Sequence, residues 1–206
     1  MSDLSEQHSD ELAENEEVQE TVELAEKLPE PFFTLSGSLD EENNTMLLDF
    51  LGACLEVESQ KVEKIKIYVN TPGGCSDTTH GLCDLVEALD KLGVVVEITG
   101  VGKVMSAGVL LVACGSKGFR KATKRTRFMI HPVQADAPPG SAHDYRITTK
   151  EIDRHLDDYV TRLVECSTTE DKEHLRKFLN GIIEKNTDYY FSSQEALELG
   201  FIDSIV

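Results

Sequence analysis

From Phe32 onwards, short apolar runs alternate with stretches of helical periodicity, the pattern of an α/β domain. Residues 32–35, 64–70 and 94–100 read as strands, because each is short and rich in β-branched or aromatic side chains. Residues 43–57 and 81–92 read as helices. In the second of these, Leu82, Leu85, Leu89 and Leu92 recur at three- and four-residue spacing and predict a stripe facing the core. Residues 109–114 form an apolar helix and 127–131 a further strand. Ile152, Leu156, Tyr159, Leu163 and Val164 then mark a long amphipathic helix, and Leu175, Phe178, Leu179 and Ile182 mark another.

The first 31 residues sustain neither period, although Val18, Val22, Leu24 and Ala25 could form one helical stripe on binding a partner. They mix Glu, Ser, Gln and Asn with few aliphatics and close on Pro29 and Pro31, which continue a helix poorly. A solvated, disordered acidic leader over residues 1–31 and one folded domain over 32–206 is the expected organisation, since 206 residues suffice for one full core. Charge agrees with that division. Of a net −18, residues 1–30 hold eleven acidic side chains against Lys27 alone. Such an anionic chain lacks the Lys and Arg that release counterions from phosphate backbones or anionic lipid, which argues against nucleic acid and membrane partners. No apolar run reaches the ~18 residues of a spanning helix and no secretory pattern opens the chain, so a cytoplasmic location is expected. The five cysteines, Cys54, Cys75, Cys83, Cys114 and Cys166, include no CxxC pair and read as reduced thiols. No metal-ligand spacing and no GxxxxGK[ST] loop occurs, so neither a metal, nor ATP, nor any other cofactor is expected.

Chemistry concentrates in two loops and one strand end. Thr71-Pro72-Gly73-Gly74 ends a strand with glycines that free backbone amides to point at a ligand. Ser106 lies where strand 94–100 gives way to the helix, flanked by Ala107 and Gly108, and a helix N-terminus favours a developing oxyanion. His131 closes a strand before Pro132, where parallel-sheet enzymes gather their ligands. Asp188 stands in Asn186-Thr187-Asp188-Tyr189-Tyr190-Phe191-Ser192. A serine hydroxyl becomes nucleophilic when a base takes its proton and a carboxylate orients that base. Each residue also has a structural reading: Ser106 as a helix cap, His131 as a strand-end histidine, Asp188 as a turn cap. The chain order Ser…His…Asp, with Val104 breaking a G-x-S-x-G elbow, sets the chain apart from α/β-hydrolases, chymotrypsins and subtilisins.

Four co-linear blocks weigh more than any single residue. They are residues 68–74 (YVNTPGG), 102–108 (GKVMSAG), 128–132 (FMIHP) and 188–196 (DYYFSSQEA), with 200–203 (GFID) after them, and together they resemble the ClpP serine peptidase family over residues 32–206. The resemblance implies a ClpP/crotonase-like spiral of ββα units with a protruding handle helix, containing residues 152–164. It implies Ser106 as nucleophile, His131 as general base, Asp188 as its partner, and the amides of Gly74 and Ala107 as oxyanion hole. It further implies peptide or unfolded protein as substrate, self-association into rings, heptamers stacked as a tetradecamer around an enclosed chamber, and an AAA+ unfoldase as partner. Family members can hold the triad misaligned until assembly or partner binding aligns it. Ala107 replaces the family's usual Met, a change an oxyanion hole tolerates because it uses the backbone N–H. The acidic leader and the proline-bearing loop over residues 134–145 also depart from the family's usual segments.

Three other readings remain at this point. A crotonase-like acyl-CoA enzyme also uses glycine-loop amides as an oxyanion hole but needs no triad. A Ser/Lys dyad would take Lys103 as its base. A non-catalytic ring subunit would use the leader to recruit a partner. A histidine base works only when neutral, so the peptidase reading predicts activity that falls on acidification through histidine's ordinary range, near ~6.5.

Overall fold

The computed structural model describes residues 30–40, 45, 47–52, 62–133 and 140–206. The chain divides into two units, Met1–Glu30 and Pro31–Val206, and the architecture below is that of the second. Residues 1–29 of the expected leader, Cys54 and residues 134–139 of the loop over residues 134–145 lie outside the described residues. Of the helix expected over residues 43–57, positions 45 and 47–52 are helical.

In chain order the elements are β1 (Phe32–Ser36), β2 (Lys64–Thr71), α1 (Ser76–Lys91), β3 (Val95–Met105), α2 (Ala107–Ala113), β4 (Arg120–Ala122) and β5 (Arg127–Ile130). They continue with α3 (Ala142–Cys166), α4 (Lys172–Glu184), β6 (Tyr189–Ser192), α5 (Ser193–Glu198) and β7 (Ser204–Ile205). The strands β1-β2-β3-β4-β7 lie side by side and are all parallel. This is the α/β arrangement expected from the sequence.

The far end of β3 does something that the sequence pattern did not predict. The expected strand stops at Gly100, whereas β3 runs on to Met105. Its pairing with β2 slips between Val69↔Gly100 and Thr71↔Val104, so extra β3 residues bulge out, with Gly102 at φ 70° among them. A bulge bends and twists its strand. Before the bulge β3 pairs with β4; beyond it Lys103–Met105 pair with Arg127–Met129 of β5. Strand β6 then adds antiparallel to β5.

The core forms where sheet and helices meet. Ile65, Ile67, Val69, Val96 and Ile98 from the sheet pack with Leu82, Val86 and Leu89 of α1 and with α2, every residue of which is buried. Burial of side chains of this size contributes roughly 1.5–3 kcal/mol each. The expected α1 stripe holds at Leu82 and Leu89, but Leu92 caps the helix and is 56% exposed. Helix α1 also starts at Ser76 rather than residue 81. Its polar first turn hides it from an apolar-period search, yet Asp77 there suits the positive end of the helix dipole. Likewise α3 starts at Ala142, ten residues before its apolar stripe, behind a reciprocal capping box of Ser141 and Asp144. Residues 142–145 are therefore helix rather than loop. Arg120, wholly buried, is held by Asp203 through Nε at 2.8 Å and by the carbonyls of Ala113 and Cys166 at 3.2 and 2.7 Å.

Candidate active site

Ser106 sits between the end of β3 and the start of α2 with φ 53° and ψ −127°. A side-chain-bearing residue in a sparsely populated region of this kind costs of order 1–3 kcal/mol and persists only where its surroundings over-determine it. Three hydrogen bonds do so here. The Ser106 N–H donates to the carbonyl of Met129 at 2.7 Å, continuing the β3–β5 ladder by one residue. The Ser106 carbonyl accepts from the Val109 N–H at 2.9 Å and from the Tyr159 hydroxyl at 3.0 Å. The sharp strand-to-helix turn is thus made without a glycine at Val104. Room for it comes from Gly108, where an added Cβ would lie 2.3 Å from the Thr71 methyl.

The same ladder delivers His131, the expected base. His131 follows β5 directly, two residues beyond the carbonyl that holds Ser106 N–H, and its Nε2 lies 2.8 Å from Ser106 Oγ. This is hydrogen-bond distance for proton abstraction. Lys103, the alternative base, is exposed on the bulge.

Asp188 is placed differently. The antiparallel register Ile130↔Tyr189 makes His131 and Asp188 the next cross-strand neighbours after the ladder ends. Asp188 is nevertheless exposed, and the partner of its carboxylate is the Tyr190 hydroxyl at 3.5 Å. Among the described residues no hydrogen bond or ion pair joins Asp188 to His131. Two of the three expected residues touch; the third stands beside His131 without reaching it.

The glycine loop packs on the serine. A Cβ at Gly73, φ 97°, would lie 2.6 Å from Ser106 Cβ and 2.7 Å from the Met105 carbonyl oxygen, so only glycine fits. The Gly73 N–H donates to Thr71 Oγ1 at 3.1 Å. Around Gly74, Leu39 donates to the Gly73 carbonyl at 2.9 Å and accepts from the Cys75 N–H at 2.8 Å. That alternation turns the Gly74 N–H away from Leu39, and it makes no hydrogen bond among the described residues. The Ala107 N–H opens α2 and is among the amides that a helix leaves unpaired at its start. Gly74 and Ala107 both line an open groove of about 690 Å³ that is also lined by Ser106 and His131.

The far wall of the groove comes from α3, through Glu151, Ile152, His155 and Tyr159. His155 lies between two carboxylates, with Nδ1 at 3.2 Å from Asp77 and Nε2 at 3.7 Å from Glu151. The sequence pattern signalled Tyr159 and Ile152 only as an apolar stripe, and gave no signal for His155 or Glu151. Helical spacing shows which residues share a face but not what that face meets. The described cysteines are free. Cys114 and Cys166 lie 3.5 Å apart at sulfur, and the hydrogen bond between them together with burial pushes the Cys166 thiol well up, which keeps it protonated and unreactive.

A hydroxyl in contact with an imidazole, beside two unpaired amides in a groove, can carry out acyl transfer. Among the described residues no three His, Cys, Asp or Glu gather as a metal site, and no helix is long and apolar enough to cross a membrane. In a comparison with known protein families, the model described as Clp protease matches residues 18–206, beginning inside the acidic segment.

Proposed function

This chain belongs to the Clp protease family, a family of peptidases, and from that premise we propose that it is a serine-type endopeptidase acting on peptides and unfolded protein. The observation that carries this reading is the 2.8 Å contact between His131 Nε2 and Ser106 Oγ. His131 takes the hydroxyl proton as Ser106 Oγ attacks the peptide carbonyl. The oxyanion that forms is received by the N–H groups of Gly74 and Ala107. His131 then returns the proton to the leaving amine, and water, deprotonated by the same imidazole, releases the acyl group from Ser106.

Asp188 completes the site in the reacting enzyme, crossing the gap between strand neighbours to accept from His131 Nδ1–H. Ring assembly or bound peptide supplies the small movement this needs. The working enzyme is a stack of rings around a chamber, fed by an AAA+ unfoldase, and the free thiols at 3.5 Å suit a reducing cytoplasm.

Reaction of the purified full-length protein with a fluorophosphonate probe, followed by mapping of the modified residue, tests the reading. Modification at Ser106, absent in Ser106→Ala together with peptidase turnover, is expected. Peptidase turnover retained by Ser106→Ala sinks it.

A further inference from the structure

Tyr159 has no place in the reaction just described, yet its hydroxyl touches the nucleophile's own backbone. It stands on α3, is 6% exposed among Val160, Leu163 and Val164, and donates to the Ser106 carbonyl at 3.0 Å. Packing alone asks only for an aromatic ring there. A buried hydroxyl adds a polar group that must find a partner, and the partner in this fold is the carbonyl of Ser106, a non-glycine residue at positive φ. Burial raises the phenol's pKa well above its ordinary range, so it stays a donor at every working pH.

The bond matters through the planarity of the peptide unit. The C=O of Ser106 and the N–H of Ala107 belong to one rigid plane and point in opposite directions, so holding the oxygen aims the hydrogen. With Ser106 at positive φ (53°), the ψ of −127° that sets this plane is an unfavourable combination. Rotation of the plane would relieve the residue and swing the Ala107 N–H out of the groove. The Val109 N–H restrains the carbonyl from within α2 itself; Tyr159 restrains it from a separate helix across the core.

We propose that Tyr159 is a positioning residue: its hydroxyl fixes the Ser106–Ala107 peptide plane and thereby aims the Ala107 amide at the oxyanion of the acyl-transfer step. The proposal rests on the serine-peptidase reading above. It goes beyond that reading by assigning α3 a direct hold on the oxyanion hole.

Tyr159→Phe and Tyr159→Met, both lacking the hydroxyl and both apolar, test it in the full-length protein. In each, kcat for a fluorogenic peptide is expected to fall about tenfold, a fraction of what losing an oxyanion donor outright costs, with KM within about twofold of wild type. Affinity for a peptide aldehyde, whose serine adduct carries the oxyanion, is expected to weaken by the same factor as kcat. Unchanged kcat in either variant overturns the proposal. So does a fall in kcat that follows a fall in melting temperature while aldehyde affinity is unchanged, which leaves Tyr159 as core packing. If wild type itself fails to react with the fluorophosphonate probe, the serine reading is what fails; if wild type reacts and the variants match it in every constant, the positioning role alone fails.

Discussion

The imidazole of His131 has two sides, and the fold treats them unequally. On the Ser106 side, the serine's N–H and C=O are engaged by Met129, Val109 and Tyr159, the following helix is wholly buried, and the contact with the imidazole is 2.8 Å. On the Asp188 side, the carboxylate stands past the last paired residue of β6, exposed, with one long bond from Tyr190. Aspartate chemistry is not the cause, as Asp203 shows. Its carboxylate accepts from Arg120 Nε at 2.8 Å, from the Arg120 N–H at 3.1 Å and from the Gly118 N–H at 2.7 Å. Burial alone would raise its pKa, but the bonds from Arg120 and Gly118 prevail and hold it below the usual carboxylate range. What differs is whether backbone and side-chain donors surround the group. The well-anchored half of the site is built by the sheet; the sparsely anchored half hangs from a strand end.

Asp188→Asn is the strongest way to break that contrast. If the exposed carboxylate closes onto His131 during the reaction, turnover falls about 10⁴-fold, the loss seen when a triad histidine has its tautomer left unset. A loss under tenfold means that the distance in the resting structure is also the working one, and that Ser106 and His131 act as a pair. Gly73→Ala attacks the well-anchored half instead. The added methyl must push against Ser106 Cβ and the Met105 carbonyl, and a shift of the nucleophile by about 1 Å lowers kcat about 10²-fold. Activity within threefold of wild type would show that this half has give.

The smallest effect on catalysis is expected from Asp203→Asn, which leaves the wholly buried Arg120 without its counter-charge. Stability should fall by about 3–5 kcal/mol in urea unfolding near neutral pH. The sign with pH follows from the depressed pKa of Asp203. In wild type the pair contributes its full share above the ordinary carboxylate value and loses it as pH drops through about 4 and on through the lower folded value. The variant's stability should therefore depend less on pH in that window. A variant as stable as wild type at neutral pH would mean that Arg120 finds other acceptors.

Legibility in the sequence followed the range of the interaction. The α1 stripe at Leu82 and Leu89 and the late stripe of α3 were readable because neighbours three and four apart share a helix face whatever the rest of the chain does. The starts of α1 and α3 were missed because polar first turns carry no apolar period, although the Ser141–Asp144 spacing was there to be read. The continuation of β3 past Gly100 had no local signal at all, because a bulge is defined against a partner strand. Ser106 and His131 were visible as candidates at a strand-to-helix change and a strand end, but three residues of common types identify nothing until the blocks around them are taken together. Tyr159 read as one more core position, since no pattern along a helix reveals that its hydroxyl will meet a carbonyl 53 residues away.

By itself, then, the sequence determined the α/β class, the glycines that let a loop pack on a serine, and which residues were candidates for the site, because each depends on residue type or on spacing within one element. The tertiary structure alone decided which groups meet. The β3 bulge turns Met105 towards β5, the shared ladder puts Ser106 within 2.8 Å of His131, and the end of the β5–β6 ladder leaves Asp188 one step away. Contacts of this kind are set by strand register and by the bonds of neighbouring backbones, and neither is encoded at the positions that use them.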